Sequence, residues 1–195
     1  MKAFKFFNLN MDCTMGKGIY HYEPGAKYVE NEANCAKNGF HACEYIFDCL
    51  RYYGSITKSI VYLVEASGDI DEDGTDSKIS CTEIELIKRL DIAEMAYYAA
   101  SYIVSHPERD ITLDNTEVQV EENEASAELI AISIGEYPRA KTDKDGVIVL
   151  ISKTGNEYTQ ARIVASKAGI WYKLNMEGQI TYEEEENRST AHQES

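Results

Sequence analysis

The chain has 195 residues, of which 44% are hydrophobic and 27% are charged, a composition typical of a folded protein and not of a disordered one. Its 34 acidic and 19 basic side chains give a formal net charge of −15. Because affinity for nucleic acid comes largely from lysine and arginine, such a negative field disfavours direct binding to DNA or RNA.

The negative charge is spread over the whole chain. Residues 1–110 contain 11 basic and 18 acidic side chains, and residues 111–195 contain 8 basic and 16 acidic ones. An acidic field steers encounters with basic surfaces, including those of proteins that themselves hold nucleic acid. The charge therefore predicts a partner protein with a basic surface; the alternative is that it only keeps the protein soluble.

The N-terminal segment and the cysteines bear on the compartment. No run of about 18 apolar residues occurs, and residues 1–10 lack the apolar length and the small-residue cleavage site of a signal peptide. The cysteines, an odd number, are Cys13, Cys35, Cys43, Cys49 and Cys81. An odd count without a secretory signal is typical of reduced thiols. We therefore predict a cytoplasmic protein that does not associate with membranes.

Residues 1–110 contain predicted elements of both kinds. Spacings of three and four between apolar residues predict amphipathic helices over residues 44–53 and 91–104, the second capped by Asp91. His106-Pro107 ends the second helix. Runs of β-branched and aromatic residues predict strands, which are residues 2–9, 19–22, 39–43, 60–66 and 79–90.

After residue 110 the pattern changes to short apolar runs. Turn signals at Gly135, Asp145-Gly146 and Gly155-Asn156 separate them. The predicted strands are residues 117–120, 129–134, 147–151 and 162–165. From Glu183 onward the chain is polar and has no apolar anchor, which predicts disorder.

Together these elements predict an α+β fold. Residues 1–110 would form a mixed small sheet with two helices, and residues 111–182 a small β-rich module. Residues 183–195 would form a disordered acidic tail. No convincing internal repeat is apparent in the sequence.

An acidic segment between two predicted strands is the first candidate site. Its opening, Asp69-Ile-Asp71-Glu-Asp73-Gly74, has the alternating carboxylates and the glycine of a calcium loop. The closing carboxylate would fall at Ser80, which cannot supply it, so we predict no metal. The segment is then either a solvated turn or a contact site for a basic partner. The candidate contact residues are Asp69, Asp71, Glu72, Asp73 and Asp76.

Cysteine and histidine side chains cluster between residues 35 and 49. Cys35, His41, Cys43 and Cys49 could suggest zinc, but they contain no C-x-x-C pair, and small buried thiols are favoured. His41 and Cys43 would point to the same face of a strand, as a nucleophile and its base do. No third group that would orient the imidazole is evident.

Several segments of residues 1–110 together form one sequence pattern. They are Gly39-Phe-His-Ala-Cys-Glu44, a helix ending in Tyr52-Tyr53, Val64-Glu-Ala-Ser-Gly68 and Ser77-Lys-Ile-Ser-Cys81. This pattern resembles a family of uncharacterised proteins encoded by phages and prophages, over roughly residues 8–95. Gly146-Val-Ile-Val-Leu150 and Trp171-Tyr172-Lys-Leu174 resemble that family's C-terminal part, with the intervening repeats shortened.

A more distant resemblance is to ADP-ribosyltransferases. Residues 39–43, Tyr53 and residues 60–68 follow the order of their glycine-containing strand, tyrosine-ending helix and next strand. The resemblance implies that His41 stands where those enzymes stack a tyrosine on nicotinamide, and that Glu83 would stabilise the developing positive charge. The first strand, residues 4–8, has no His or Arg to hold the ribose, so the resemblance points more to a shared scaffold than to a working transferase.

The main hypothesis is a phage-derived acidic binding protein without cofactor. It would dock on a basic surface of a host protein and antagonise a nucleic-acid-handling or defence complex, as anti-CRISPR proteins do. The alternative is an ADP-ribosyltransferase-like enzyme that uses NAD, with His41 and Glu83 as its catalytic residues. A third hypothesis is a phage accessory or structural protein that self-associates through strand edges.

Overall fold

The computed structural model describes residues 1–14, 18–35, 37–72, 74 and 76–184. The chain divides into two units, Met1–Ala99 and Ala100–Ser195, and the division falls inside a helix.

The first unit is built mainly from antiparallel strands. They are β1 (Lys2–Phe7), β2 (Asp12–Cys13), β3 (Tyr20–His21), β4 (Lys27–Val29), β5 (Phe40–Cys43), β6 (Ile60–Glu72) and β7 (Lys78–Arg89). A 3-10 turn at Ile46–Cys49 leads directly into the helix α1 (Leu50–Tyr53). A longer helix, α2 (Ile92–Ser105), follows β7 and continues into the second unit.

Four of these strands close into a small barrel. β1 pairs with β6, β6 with β7, β7 with β5 and β5 with β1, all antiparallel. The two-residue alternation of a strand directs Ala3 and Phe7 of β1 into the core that fills the barrel. Phe4 lies on the opposite face, where its ring is 5.1 Å from that of Tyr98.

The pairing between β1 and β5 is much shorter than the other pairings of the barrel. β1 runs beside β6 from the pair Lys2 and Glu65 to the pair Phe7 and Ile60. Among the described residues, it meets β5 at the single pair Phe4 and Cys43. The barrel is therefore loosely closed between these two strands.

The predicted α+β class is wrong, since strands make up 55% of the described residues and helices only 12%. The predicted helix over residues 44–53 is a 3-10 turn followed by the four residues of α1. Its apolar spacing reflects the burial of Ile46, Phe47 and Leu50, and Gly54 ends it in the left-handed region with a φ of 74°. The predicted mixed sheet is a closed antiparallel barrel instead.

The second predicted helix is confirmed by α2. Its start is a capping box, because the Glu94 amide donates to the Asp91 carboxylate at 2.9 Å and the Asp91 amide donates to the Glu94 carboxylate at 3.3 Å. None of the helices in the described part of the chain has the length and apolar character needed to cross a bilayer.

The second unit is a sheet with both parallel and antiparallel pairs. Its strands are β8 (Leu113–Asp114), β9 (Val118–Ala127), β10 (Ile130–Thr142), β11 (Gly146–Thr154), β12 (Glu157–Ser166), β13 (Ile170–Leu174) and β14 (Ile180–Glu184). β14 extends through Glu184, past the predicted start of the tail. Residues 185–195, the rest of the predicted disordered tail, lie outside the described residues.

Three strands of this unit follow one another as turns of a short coil. β9, β10 and β11 pair in parallel, with Val118, Ile130 and Val147 at the same level. Parallel neighbours normally need a crossover of about a dozen residues, yet only residues 128–129 and 143–145 connect these strands. β9 and β10 must therefore bend back on themselves, which β9 does near Asn123, where φ is 62°. Stacked turns of this kind are the principle of solenoid proteins.

Candidate ligand-binding site

A cavity of about 1060 Å³ lies where β1 and β5 are weakly paired. β1 lines it with residues 4–6, β5 with residues 41–43 and α1 with Tyr52 and Tyr53. The loops before β5 contribute residues 30–32 and 37–39. All of these residues belong to the first unit, and the volume is that of a site for a small molecule.

Lys5 is the charged group buried in this site. Its side chain shares the inward face of β1 with Ala3 and Phe7, and the residue is only 4% exposed. The ammonium donates to the His41 carbonyl oxygen at 2.7 Å and lies 5.6 Å and 5.2 Å from the ring centroids of Phe7 and Tyr22. Within the described residues it forms no ion pair. A lysine that is almost fully buried without a carboxylate partner is unusual.

Lys5 and His41 also line a second, smaller cavity of about 170 Å³. His41 lies on β5 opposite Ser80 of β7 and is half-buried. The structure therefore places this predicted site residue at a cavity, next to a buried cation. The sequence analysis missed Lys5. The signal that could have found it is the alternation Ala3, Lys5, Phe7, with a lysine on the apolar face of a strand.

Glu83 is not among the described residues that line either cavity. It pairs with Ser67 of β6 and Val29 of β4. Its carboxylate lies 2.8 Å from the Lys27 ammonium and accepts a hydrogen bond from the Ser67 hydroxyl at 3.0 Å. The hydrogen bond from Lys27 lowers the pKa of Glu83 and keeps it charged. The structure does not bring His41 and Glu83 into one cavity.

The acidic segment lies on the far end of β6 and in the turn after it. Asp71 accepts a hydrogen bond from the Cys35 amide at 2.7 Å. Asp76 accepts from the Tyr52 hydroxyl and from the Lys78 amide, both at 2.7 Å. These two carboxylates hold neighbouring loops in place.

Asp71 is exposed as well, but within the described residues only Asp71 and Asp76 of this segment use their carboxylates to hold a loop. Asp69 and Glu72 are exposed, and Asp73 lies outside the described residues. No group of three or more His, Cys, Asp or Glu side chains that could hold a metal ion occurs in the described part of the chain. The exposed carboxylates of Asp69 and Glu72 are therefore the part of this segment that is available to a partner.

The five cysteines form no disulfide with one another, and Cys35, Cys43, Cys49 and Cys81 are buried. Cys43 and Cys49 line the larger cavity. A hydrogen bond with Cys49, together with burial, raises the pKa of the Cys43 thiol. Because the thiolate is the nucleophile, this environment makes Cys43 less reactive than a free cysteine.

The match to a known family covers the part of the chain that contains this site. Residues 1–98 match the model of a family described as domain of unknown function (DUF7666). The chain belongs to this family. The DUF7666 match covers the barrel, both cavities and the acidic segment, and it ends one residue before the end of the first unit. No curated protein and no solved structure matches the chain.

Proposed function

We propose that this chain is a phage-encoded acidic binding protein that acts in the cytoplasm of a bacterial host cell. It would dock on a basic surface of a host protein and antagonise a nucleic-acid-handling or defence complex, in the manner of an anti-CRISPR protein. The observation that carries the proposal is the net charge of −15. Such a field accelerates encounter with a basic surface and opposes contact with nucleic acid itself. The proposal requires no cofactor.

Ion pairs bear on this argument, because in the described residues many basic side chains are already paired with carboxylates of the protein. Each pair joins a basic side chain to a carboxylate of the same unit. The pairs are Lys27–Glu83, Arg51–Asp48, Lys88–Glu94, Arg139–Glu124, Lys144–Glu128, Lys167–Asp145 and Lys173–Glu183. The carboxylates in excess of these pairs determine the sign of the surface potential.

The exposed end of β6 is the contact site in this proposal. Residues 68–72 are exposed, and within the described structure they pair only with β7. Asp69 and Glu72 place carboxylates at this end of β6, which has β7 as its one paired neighbour in the described residues. Charge complementarity and strand addition can both operate at such an edge.

The proposal predicts that neutralising this edge weakens capture of the partner. The tagged protein and the double variant Asp69→Asn/Glu72→Gln are used for pull-down from bacterial lysate, with washes at low and high salt. Bound proteins are identified and quantified by mass spectrometry. We expect a basic, nucleic-acid-binding protein that the wild type retains at low salt and releases at high salt, and that the variant retains several-fold less well.

The control variant is Glu157→Gln/Glu177→Gln. It removes the same two charges from exposed positions of the second unit and leaves β6 intact. Retention equal to the wild type in this control assigns the effect to the edge of β6. A partner held equally well at both salt concentrations would rule out the proposed charge-driven contact.

A second candidate is an ADP-ribosyltransferase-like enzyme that uses NAD. It is favoured by one observation, which is that His41 lines a cavity large enough for a nucleotide. However, Lys27 and Ser67 hold Glu83 outside the described lining, so the implied residues do not fit NAD as a reacting group. Transfer of labelled ADP-ribose by the wild type, lost in Glu83→Gln, would support this candidate. Absence of transfer by the wild type would end it.

A further inference from the structure

The Lys5 ammonium poses a problem of charge compensation. It can donate three hydrogen bonds and, within the described residues, makes one, to a neutral backbone carbonyl. The faces of the Phe7 and Tyr22 rings attract a cation, but they carry no formal charge. Burial of an ammonium without a counter-charge is costly, so the site is built to receive a negative group.

Among the described residues, the side chains closest to Lys5 do not provide that negative group. Burial raises the pKa of the Tyr22 hydroxyl, which therefore stays protonated at neutral pH. Burial also raises the pKa of the Cys81 thiol, although Lys5 opposes this effect. Glu30 lines both cavities and Glu32 lines the larger one, but both residues are exposed and neither forms an ion pair with Lys5 in the described structure.

The lining of the larger cavity defines the rest of the ligand. The apolar part of this lining includes Phe4, Phe6, Tyr53 and Ala42. The single buried ammonium can compensate one negative charge, whereas the exposed carboxylates of Glu30 and Glu32 repel a ligand that carries several negative charges. The Lys78 ammonium lies over the ring of Tyr52, 5.1 Å from its centroid, and Lys37 is exposed. The chemistry of the site thus favours a single carboxylate attached to an apolar body.

We infer that the first unit binds a small monocarboxylate, with its carboxylate on the Lys5 ammonium and its apolar body in the larger cavity. This site is independent of the charge-driven contact proposed above, because it uses a buried cation and not the acidic surface.

The test uses the full chain and two probes, 4-phenylbutyrate and 4-phenylbutan-1-ol. The probes share one apolar body and differ in the head group, which is a charged carboxylate in the first and a neutral alcohol in the second. Isothermal titration calorimetry measures both affinities at about pH 7. We expect the acid to bind about tenfold more tightly than the alcohol, since the hydrogen bond to Lys5 is charge-assisted. Equal affinities, or no binding of either probe at millimolar concentration, would overturn the inference.

Two lysine variants test which lysine binds the carboxylate of the probe. Lys5→Met is expected to lower the affinity for the acid about tenfold, so that it equals the affinity for the alcohol. The affinity for the alcohol itself should not change. Lys37→Met removes an exposed lysine of the same lining and is expected to keep the preference for the acid. Loss of the preference in Lys37→Met, or its persistence in Lys5→Met, would contradict the assignment to Lys5.

Two further measurements on the wild type do not depend on the folding of any variant. The ratio of the two affinities is compared at 20 mM and 500 mM NaCl, because a buried ion pair is screened far less than an exposed one. A ratio that persists supports Lys5, and a ratio that collapses points to the exposed lysines and overturns the inference. Inorganic phosphate should not displace the acid at equal concentration. Displacement would replace the monocarboxylate by a phosphate ligand.

Discussion

Lys2 and Lys5 show how the position of a residue in a strand decides its role. Both belong to β1, and Lys5 is three positions after Lys2, an odd step, so they lie on opposite faces. Lys2 is exposed, whereas Lys5 shares the inward face with Ala3 and Phe7. The aromatic character of the segment predicted the strand, but whether a lysine faces a core depends on strand pairings that bring distant residues together.

The energetic cost of burying the Lys5 ammonium can be measured as a change in the free energy of unfolding. In Lys5→Met an apolar side chain of similar length replaces a buried ammonium, and the hydrogen bond to His41 is lost. Because the desolvation of the charge outweighs one hydrogen bond, we expect the free energy of unfolding to rise by about 1–3 kcal/mol. Urea denaturation followed by circular dichroism measures it, with Lys37→Met as a control expected to change it by less than about 0.5 kcal/mol. Destabilisation by Lys5→Met would instead give the lysine a structural role.

At the scale of elements, Gly68 shows why strand lengths were underestimated. The sequence predicts that the strand ends at Gly68, yet β6 continues to Glu72. Gly68 has a φ of 76°, and the pairing shifts between Ser67 and Ile70, so that Gly68 and Asp69 oppose Thr82. This is a glycine β-bulge. A glycine of this kind and a glycine that ends a strand have the same sequence signal, and only the partner strand distinguishes them.

Replacing Gly68 by alanine tests this bulge. The added Cβ would lie 2.1 Å from the Thr82 hydroxyl oxygen, which also accepts a hydrogen bond from the Asp69 amide. Steric overlap adds to the strain of a positive φ, so we expect a loss of about 2–4 kcal/mol in the free energy of unfolding. Gly25→Ala is the matched control. Gly25 has a φ of 74° and open space around it, so only about 1 kcal/mol of backbone strain is expected. Equal losses would show that the contact with Thr82 is unimportant.

The parallel stacking of β9, β10 and β11 in the second unit also could not be predicted from the sequence. The short apolar runs predicted strands correctly at β9, β10 and β11, because these strands contain residues buried in the core. Their parallel stacking was not predicted, since the spacing from Val118 to Ile130 is 12 residues and that from Ile130 to Val147 is 17. Unequal turns do not produce a fixed sequence period, which is the usual sign of a repeat.

At the scale of the whole molecule, the family match follows the division into two units, but the negative charge does not. The DUF7666 match coincides with the first unit, which holds the barrel and the cavities. The acidity does not follow this division, because residues 1–99 contain 10 basic and 16 acidic side chains and residues 100–195 contain 9 and 18. The charge could be read from composition alone. The candidate site could be read only in part, since His41 was identified by resemblance and Lys5 required the three-dimensional structure.

A net charge of −15 predicts that salt stabilises the protein. At 10 mM ionic strength the Debye length is about 30 Å, so most carboxylates in a unit repel one another, whereas at 150 mM it is about 8 Å and only near neighbours do. Exposed ion pairs such as Lys167–Asp145 are weakened by salt as well, but each contributes little. We therefore expect Tm to rise by about 3 °C or more between 10 and 150 mM NaCl, measured by circular dichroism at pH 7.

Two comparisons separate this screening effect from other actions of salt. KCl should reproduce the result with NaCl, because screening depends on ionic strength and not on the identity of a monovalent cation. Sucrose at the same osmolality acts by exclusion from the protein surface and should give a smaller rise. A fall in Tm with salt would mean that the ion pairs outweigh the repulsion. The excess carboxylates would then be too widely separated to create the field on which the proposed binding to a basic partner depends.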